Sequence, residues 1–351
     1  MEADSHEKEG PALGELIARV VRGEVLTADD AEHAFGAVME GRATPVQIAA
    51  LLVSLRTRGE QPSEVAGGVR ALRRAMVPVA ADADGLVDTC GTGGGAFGTF
   101  NISTAAALLA AGAGVRIAKH GNRSFTSRCG SADVLDAMGV TIELTPEAMA
   151  RVLADAGIVF MFAPLLHPAM RHVAPVRREL GFGTVMNVLG PLTNPAGARR
   201  QVVGVADPAL LPLIAGALRE LGHERGLVVH GQPGMDEISP IGSTDVIELK
   251  NGELTRYTIE PGQLIDDQTL APADLAGGDP GDNARIITAV FCGELRGAAR
   301  AAVVLNAGAA LYIADKAASL KDGVRLAEQA LDAGGGREAF ERLRAATSSA
   351  S

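Results

Sequence analysis

Val87-Asp88-Thr89-Cys90-Gly91-Thr92-Gly93-Gly94-Gly95-Ala96-Phe97-Gly98-Thr99-Phe100-Asn101-Ile102-Ser103-Thr104 joins a short apolar strand, a loop with glycines at 91, 93, 94, 95 and 98, and the opening of a helix near Asn101. Glycines let successive backbone N–H groups turn into one concavity and let a ligand approach the main chain. A helix start adds unpaired N–H groups and a partial positive charge. Asn101, Ser103 and Thr104 bring side-chain donors to the first turn. The expected ligand is a phosphate or pyrophosphate. No Gly-Lys-Ser/Thr follows, so this is not a Walker loop, and the spacing does not fit the dinucleotide fingerprint.

Downstream of this loop, strands alternate with helices. Val115–Ala118, Val159–Phe162, Val202–Val205 and Leu227–His230 read as strands, with a helix over Pro208–Leu221. Such alternation predicts a mostly parallel central sheet. Residues 245–260 read as a hairpin, and the last 70 residues as helices. Upstream, four helical segments run to about residue 76. The second starts at Thr27 with Asp30 in the N3 position; the third has Thr44 as N-cap, Pro45 at N1 and Gln47 at N3, a capping box. Ile48, Leu51, Leu52 and Leu55 recur at helical spacing. The expected organisation is α/β, with a loose tail over 1–9, a small helical domain over 10–78 and a large α/β domain over 79–351, residues 79–85 serving as linker.

In a parallel sheet the strand C-termini share one edge, where ligands bind. Lys119-His120-Gly121-Asn122-Arg123-Ser124 follows the strand after the glycine loop. It should bring a point charge and directional hydrogen-bonding groups beside that loop. Met235-Asp236-Glu237 follows the strand ending at His230. Two carboxylates adjacent in a loop can both face inward, as hard oxygen ligands for a cation that carries a polyphosphate, although on this stretch alone ordinary surface acidity is the commoner reading.

Composition narrows the function classes. Hydrophobic residues make up 47% of 351, enough for a large core, and the net charge is 32 − 42 = −10. An acidic chain without Trp argues against nucleic-acid binding and against an anionic membrane surface. Cys90, Cys129 and Cys292 are scattered, which indicates neither a zinc site nor a disulfide framework. Residues 11–21 are interrupted by Glu15 and Arg19, as in an amphipathic helix and unlike a leader or span. A cytoplasmic enzyme is the expectation.

The chain resembles the anthranilate phosphoribosyltransferase family. The likeness runs in order through Gly91-Thr92-Gly93-Gly94, Thr99-Phe100-Asn101-Ile102-Ser103-Thr104, Lys119-His120-Gly121-Asn122-Arg123-Ser124 and Gly130-Ser131-Ala132-Asp133. It continues through His167-Pro168, Pro175-Val176-Arg177, Asn187-Val188-Leu189-Gly190-Pro191-Leu192-Thr193-Asn194-Pro195, Met235-Asp236-Glu237 and Asn306-Ala307. The resemblance implies a nucleoside-phosphorylase-like two-domain fold and a homodimer formed through the N-terminal helices, joined by helices near 170–190. It implies transfer of the phosphoribosyl group of 5-phosphoribosyl pyrophosphate (PRPP) to anthranilate in tryptophan biosynthesis. PRPP would be held by Gly91, Thr92, Gly93, Gly94, Thr99, Asn101, Ser103, Thr104, Lys119 and Ser131. Anthranilate would meet Gly91, His120, Asn122, His167, Arg177 and Pro191, and two Mg²⁺ ions would be held by Ser103, Asp236 and Glu237. No residue is implied as an indispensable acid, base or nucleophile.

Two positions depart from the family: Gly95 where an Asp is usual, and Gly183, before Thr184, where an Arg is usual. Pyrimidine nucleoside phosphorylases share the fold, but their Lys-Met-Ser-Gly-Arg run is absent here. A basic, nucleic-acid-binding relative would lack the acidic pair that this chain has.

Overall fold

The computed structural model describes residues 11–93, 98–124, 128–266 and 270–350. The expected tail over 1–9 and the loop glycines Gly94 and Gly95 lie outside them. The chain divides into two compact units, one comprising the residues up to Met76 with His167–Thr193, the other Val77–Leu166 with Asn194 onward.

The helical unit contains α1 (Leu13–Val21), α2 (Ala28–Met39), α3 (Pro45–Arg58) and α4 (Pro62–Ala75), with short helices Ala174–Leu180 and Met186–Leu189. Local chemistry sets the starts. Thr27 accepts from Asp30 N, and Thr44 and Gln47 form a reciprocal capping box with Pro45 at N1. The expected apolar face of α3 is buried, with Ile48, Leu51, Leu52 and Leu55 at 2% exposure or less. The carboxylate of Glu64, fully buried in α4, accepts from Leu26 N and Gln61 N (both 3.0 Å) and from Arg58. A buried charge is tolerated only when paired and hydrogen-bonded in this way.

The α/β unit is built on seven strands, β1 (Val87–Gly91), β2 (Ile117–Gly121), β3 (Ile158–Phe162), β4 (Arg200–Gly204), β5 (Arg225–Gly231), β6 (Thr244–Lys250) and β7 (Glu253–Ile259). Their order is β3-β2-β1-β4-β5-β6-β7. The first five are parallel, and β6–β7 form the expected hairpin, antiparallel to β5. The glycine loop leads into α5 (Ile102–Gly112). That helix packs between Gly297–Ile313 and Gly335–Ala350, which explains why it is Ala-rich and buried nearly all round. Among the described residues, no helix is long and apolar enough to cross a membrane.

One sequence expectation shifts. Lys119 and His120 do not follow the second strand; they lie inside it, because β2 runs on to Gly121 in register with Phe162 of β3. Strand alternation then sends the two side chains to opposite faces, so only the segment from Asn122 is turn.

Asp88 of β1 is fully buried, and its carboxylate joins three neighbours. Oδ1 accepts from His120 N of β2 (3.2 Å); Oδ2 accepts from Asn194 Nδ2 (2.9 Å) and from Gln201 Nε2 of β4 (3.2 Å). Burial pushes this carboxyl above the usual range, while Lys119 and the three donors pull it back. Replacing Asp88 by Ala strands these buried donors, so Asp88→Ala should lower the unfolding free energy by about 3 kcal/mol. Urea denaturation followed by circular dichroism checks this, and an unchanged midpoint would remove Asp88 as a tie between strands.

Candidate active site

The C-terminal ends of β1, β2, β4 and β5 carry the glycine loop, Lys119 with His120, and the acidic loop. Gly91 ends β1, and Gly93 N donates to Asp236 Oδ2 (3.0 Å). At its other end the glycine loop is pinned by main-chain bonds: Phe100 N donates to Leu275 O (3.0 Å) and Gly277 N to Gly98 O (2.9 Å). Thr92 N donates to Gly204 O (2.9 Å). The loop thus leaves and returns on fixed backbone posts.

Ser103 lies in the first turn of α5. Lys119 is 3% exposed; its ammonium donates to Thr89 O and lies 3.4 Å from Ser103 Oγ. Burial pulls its pKa down, opposed by the charges of Asp88, Cys90, Glu237 and Asp236. Thr104 Oγ1 is buried and has no hydrogen-bond partner among the described residues. Asn101 is the N-cap position of α5 but does not cap it. Its amide donates to Cys129 O (3.2 Å) and its carbonyl accepts from Asn283 (2.9 Å), so part of its capacity is already used.

The segment after β2 is held by side chains quoted above. Asp133 accepts from Ser124 N (3.1 Å) and Gly130 N (2.8 Å), and pairs with Arg123 (3.0 Å). Arg123 also pairs with Asp136 (3.1 Å) and lies over the Phe162 ring. Arg123 is therefore committed to holding the turn, and Asn122 accepts from Arg123 N (2.7 Å). Ser131 Oγ lies 3.4 Å from Asn122 O.

Asp236 and Glu237 sit in the loop between β5 and β6. Glu237 is buried at 9% exposure, and its Oε2 has no partner among the described residues. Burial, then the charge of Asp236, pushes the Glu237 carboxyl well above its ordinary range. Burial also raises Asp236, opposed by the Gly93 N–H and by Lys119. Glycine is required opposite this loop: a Cβ on Gly91 would overlap Asp236 Oδ2, and one on Gly204 would overlap the Asp236 carbonyl. An orphaned carboxylate oxygen beside a second carboxylate suits a hard divalent cation. No cluster of three or more His, Cys, Asp or Glu exists among the described residues. Any such ion would therefore take its remaining ligands from substrate and water.

His167, Arg177 and Pro191 belong to the helical unit, while Gly91, His120 and Asn122 belong to the α/β unit. Arg177 lies in the helix Ala174–Leu180; it is half-buried, and among the described residues no carboxylate pairs with it. Burial lowers its pKa. A desolvated guanidinium without a counter-ion is a ready partner for an incoming carboxylate. A Cβ on Gly183 would have only Asn187 nearby, 4.0 Å away, so the backbone there does not require glycine. A cavity of about 630 Å³ opens instead at the opposite sheet edge, where β4 and β5 begin. Its Asp315 already pairs with Arg200 (2.7 Å) and with Arg225. That basin is away from the strand ends where the donor-rich and acidic loops lie.

Residues 83–337 match the glycosyl transferase family a/b domain, and residues 14–76 its helical bundle domain. The chain is 55% identical over 331 residues to an anthranilate phosphoribosyltransferase of Rubrobacter xylanophilus, covering 94% of this chain and 96% of that one. The chain belongs to the anthranilate phosphoribosyltransferase family. Another member, from Thermomicrobium roseum, is 52% identical over 95% of this chain and 96% of its own. The crystal structure of the anthranilate phosphoribosyltransferase from Thermus thermophilus superposes with a TM-score of 0.89 at 45% identity, covering 95% of this chain and 99% of that one. The enzyme from Saccharomyces cerevisiae in complex with PRPP and Mg superposes with a TM-score of 0.85 at 25% identity, covering 96% and 98%.

In this family member, Asp88 and Asn194 stand within the motifs quoted from the sequence but receive no role from it, and Gln201 lies outside those motifs. A charged residue inside an otherwise apolar strand was the available signal for Asp88. Burial lowers the pKa of His167 from 6.5 to about 4. The folded protein then binds this proton less readily than the unfolded chain. The resulting stabilisation is complete above pH 6.5, is lost as pH falls from 6.5 toward 4, and is constant below. That lowering is worth up to about 3 kcal/mol. An NMR titration of the His167 ring should show a midpoint near 4; a midpoint at the ordinary value would place the ring in water.

Proposed function

We propose that this protein transfers the phosphoribosyl group of PRPP to the amine of anthranilate, giving N-(5-phosphoribosyl)anthranilate and pyrophosphate, the reaction of tryptophan biosynthesis. The observation that carries this reading is the meeting of Lys119, Ser103 and the Asp236–Glu237 pair at the strand ends, in a chain 55% identical to a protein of that name. PRPP is assigned to the glycine loop with Thr92, Thr99, Asn101, Ser103, Thr104, Lys119 and Ser131, and anthranilate to Gly91, His120, Asn122, His167, Arg177 and Pro191. Ser103, Asp236 and Glu237 are the residues assigned to Mg²⁺, as two ions, which would neutralise charge on the departing pyrophosphate.

The chain's own residues then have limited chemistry to perform. The C1–O bond to pyrophosphate breaks as the aromatic amine approaches from the opposite face, so charge grows on the leaving oxygens and on the ribose. Lys119, fixed beside Ser103, meets the first of these with a positive charge already in place. Arg177 orients anthranilate through its carboxylate. Alignment of the amine with C1 is worth several kcal/mol, roughly 7 in favourable cases. The neutral aromatic amine is nucleophilic without prior deprotonation, and its proton leaves after the C–N bond has formed. Cys90 lacks a role in this scheme, since burial holds its thiol far above neutrality.

A homodimer through the helical unit is part of the same reading. Val21, Val25, Val46 and Phe182 of that unit are 69%, 51%, 78% and 51% exposed, large apolar side chains that a partner subunit would cover. Light scattering should give twice the 36.0 kDa chain mass; a single chain's mass would remove the dimer.

Loss of anthranilate fluorescence on mixing protein, PRPP and Mg²⁺ tests the reaction. It should require PRPP and stop with EDTA, and a flat trace with folded protein would overturn the assignment. Arg177→Ala should raise the anthranilate KM at least tenfold and leave the PRPP KM nearly unchanged. Equal effects on both would take Arg177 out of acceptor binding. The double variant Asp236→Ala/Glu237→Ala should abolish Mg²⁺-dependent turnover, and retained activity would sink the metal assignment.

A further inference from the structure

Asn306 stands alone among apolar neighbours in the helix Gly297–Ile313, whose sequence is GAARAAVVLNAGAALYI, and it is 5% exposed. A buried carboxamide in such a helix is costly unless each polar group finds a partner. Here each does. Oδ1 accepts from Ile238 N (2.9 Å); Nδ2 donates to Ile238 O (3.0 Å) and to Ala302 O one turn back (2.9 Å). Two of the three bonds therefore grip both main-chain groups of a single residue, and that residue directly follows Glu237.

The other side of the acidic loop is fixed independently. Gly204 ends β4 beside Gly91, and its missing Cβ leaves the space filled by the Asp236 carbonyl. Gly93 N holds Asp236 Oδ2. The two carboxylates are thus spaced along a short stretch of backbone, seated on Gly204 at one end and clamped by Asn306 at the other. A side chain that binds no ligand but sets the direction of two carboxylates controls how well they converge on an ion.

We propose that Asn306 is a positioning residue for the Asp236–Glu237 pair, setting divalent-cation affinity through its two hydrogen bonds to Ile238 and not through contact with substrate. This rests on the metal assignment proposed above. Asn306→Ser is the informative variant. Its hydroxyl can satisfy itself on the Ala302 carbonyl, as Ser54 does on Ala50 O in α3 (2.6 Å), while releasing Ile238. Mn²⁺ serves as the probe, and electron paramagnetic resonance counts the free ion in titrations of the full-length protein without PRPP.

The expected result is a Mn²⁺ dissociation constant raised roughly tenfold or more. The PRPP KM and the Mg²⁺ concentration for half-activation should rise together, and the anthranilate KM should stay within about twofold of the parent. Asn306→Thr repeats the test should Asn306→Ser fail to give folded protein. Asp236→Ala/Glu237→Ala is the control. If that control loses Mn²⁺ while a folded Asn306 variant binds it as the parent does, Asn306 is a packing residue and the inference is overturned. If the control itself retains Mn²⁺ affinity, the metal assignment fails first and the inference with it.

Discussion

The fully buried carboxylate of Asp88 lies where β1, β2, β4 and the segment at Asn194 meet. An unpaired carboxylate at such a depth is prohibitive. Its hydrogen bonds to His120 N, Asn194 and Gln201, and the field of Lys119, make it tolerable. The consequence is cooperative. The central strand cannot be buried until its neighbours on both sides supply their donors, so the strand ends are aligned by the condition that lets the sheet core form. Lys119 links this tie to function: the cation that offsets Asp88 is also the one that faces Ser103 and feels Asp236 and Glu237.

At that edge, some charged groups are fully paired and others are not. Arg123 is spent on Asp133 and Asp136, and Asp133 on the main chain of the turn. By contrast, among the described residues one oxygen of Glu237 and the hydroxyl of Thr104 are buried without partners, and within the helical unit Arg177 has no counter-ion. A folded protein tolerates few such groups. Glu237 and Thr104 both lie in segments that carry the family's motifs, and the proposed site uses these two groups to receive a cation and a phosphate. Gly91 and Gly204 serve the same end by sterics, since only a residue without Cβ leaves room for the acidic loop to lie on the strand ends.

Much of this was legible because the relevant physics is local. The capping box at Thr44, the strand-loop-helix character of Val87–Thr104 and the alternation that predicts a parallel sheet depend on residues within a turn or two of one another. Where the expectation slipped, at Lys119 and His120, the strand was extended by pairing with β3, a partner 41 positions away by the register of Lys119 with Phe160. Asn101, read as a free donor, is partly occupied by Cys129 and by Asn283, 182 residues away. Gly183 is a departure that the backbone does not demand, and nothing in the structure explains why Arg is absent there.

What the sequence determined by itself was the order of elements, the net acidic charge, and the identity of the loops that carry donors and carboxylates. Those follow from composition, periodicity and turn chemistry, and the ordered run of motifs carried the family. Tertiary structure alone decided that Asp88 draws on Asn194, 106 residues away, that Gly93 holds Asp236 across 143 residues, and that Asn306 grips Ile238 across 68. The physical reason is that a hydrogen bond between buried groups is specified by which elements pack together, and a chain read residue by residue carries the groups without the packing that pairs them.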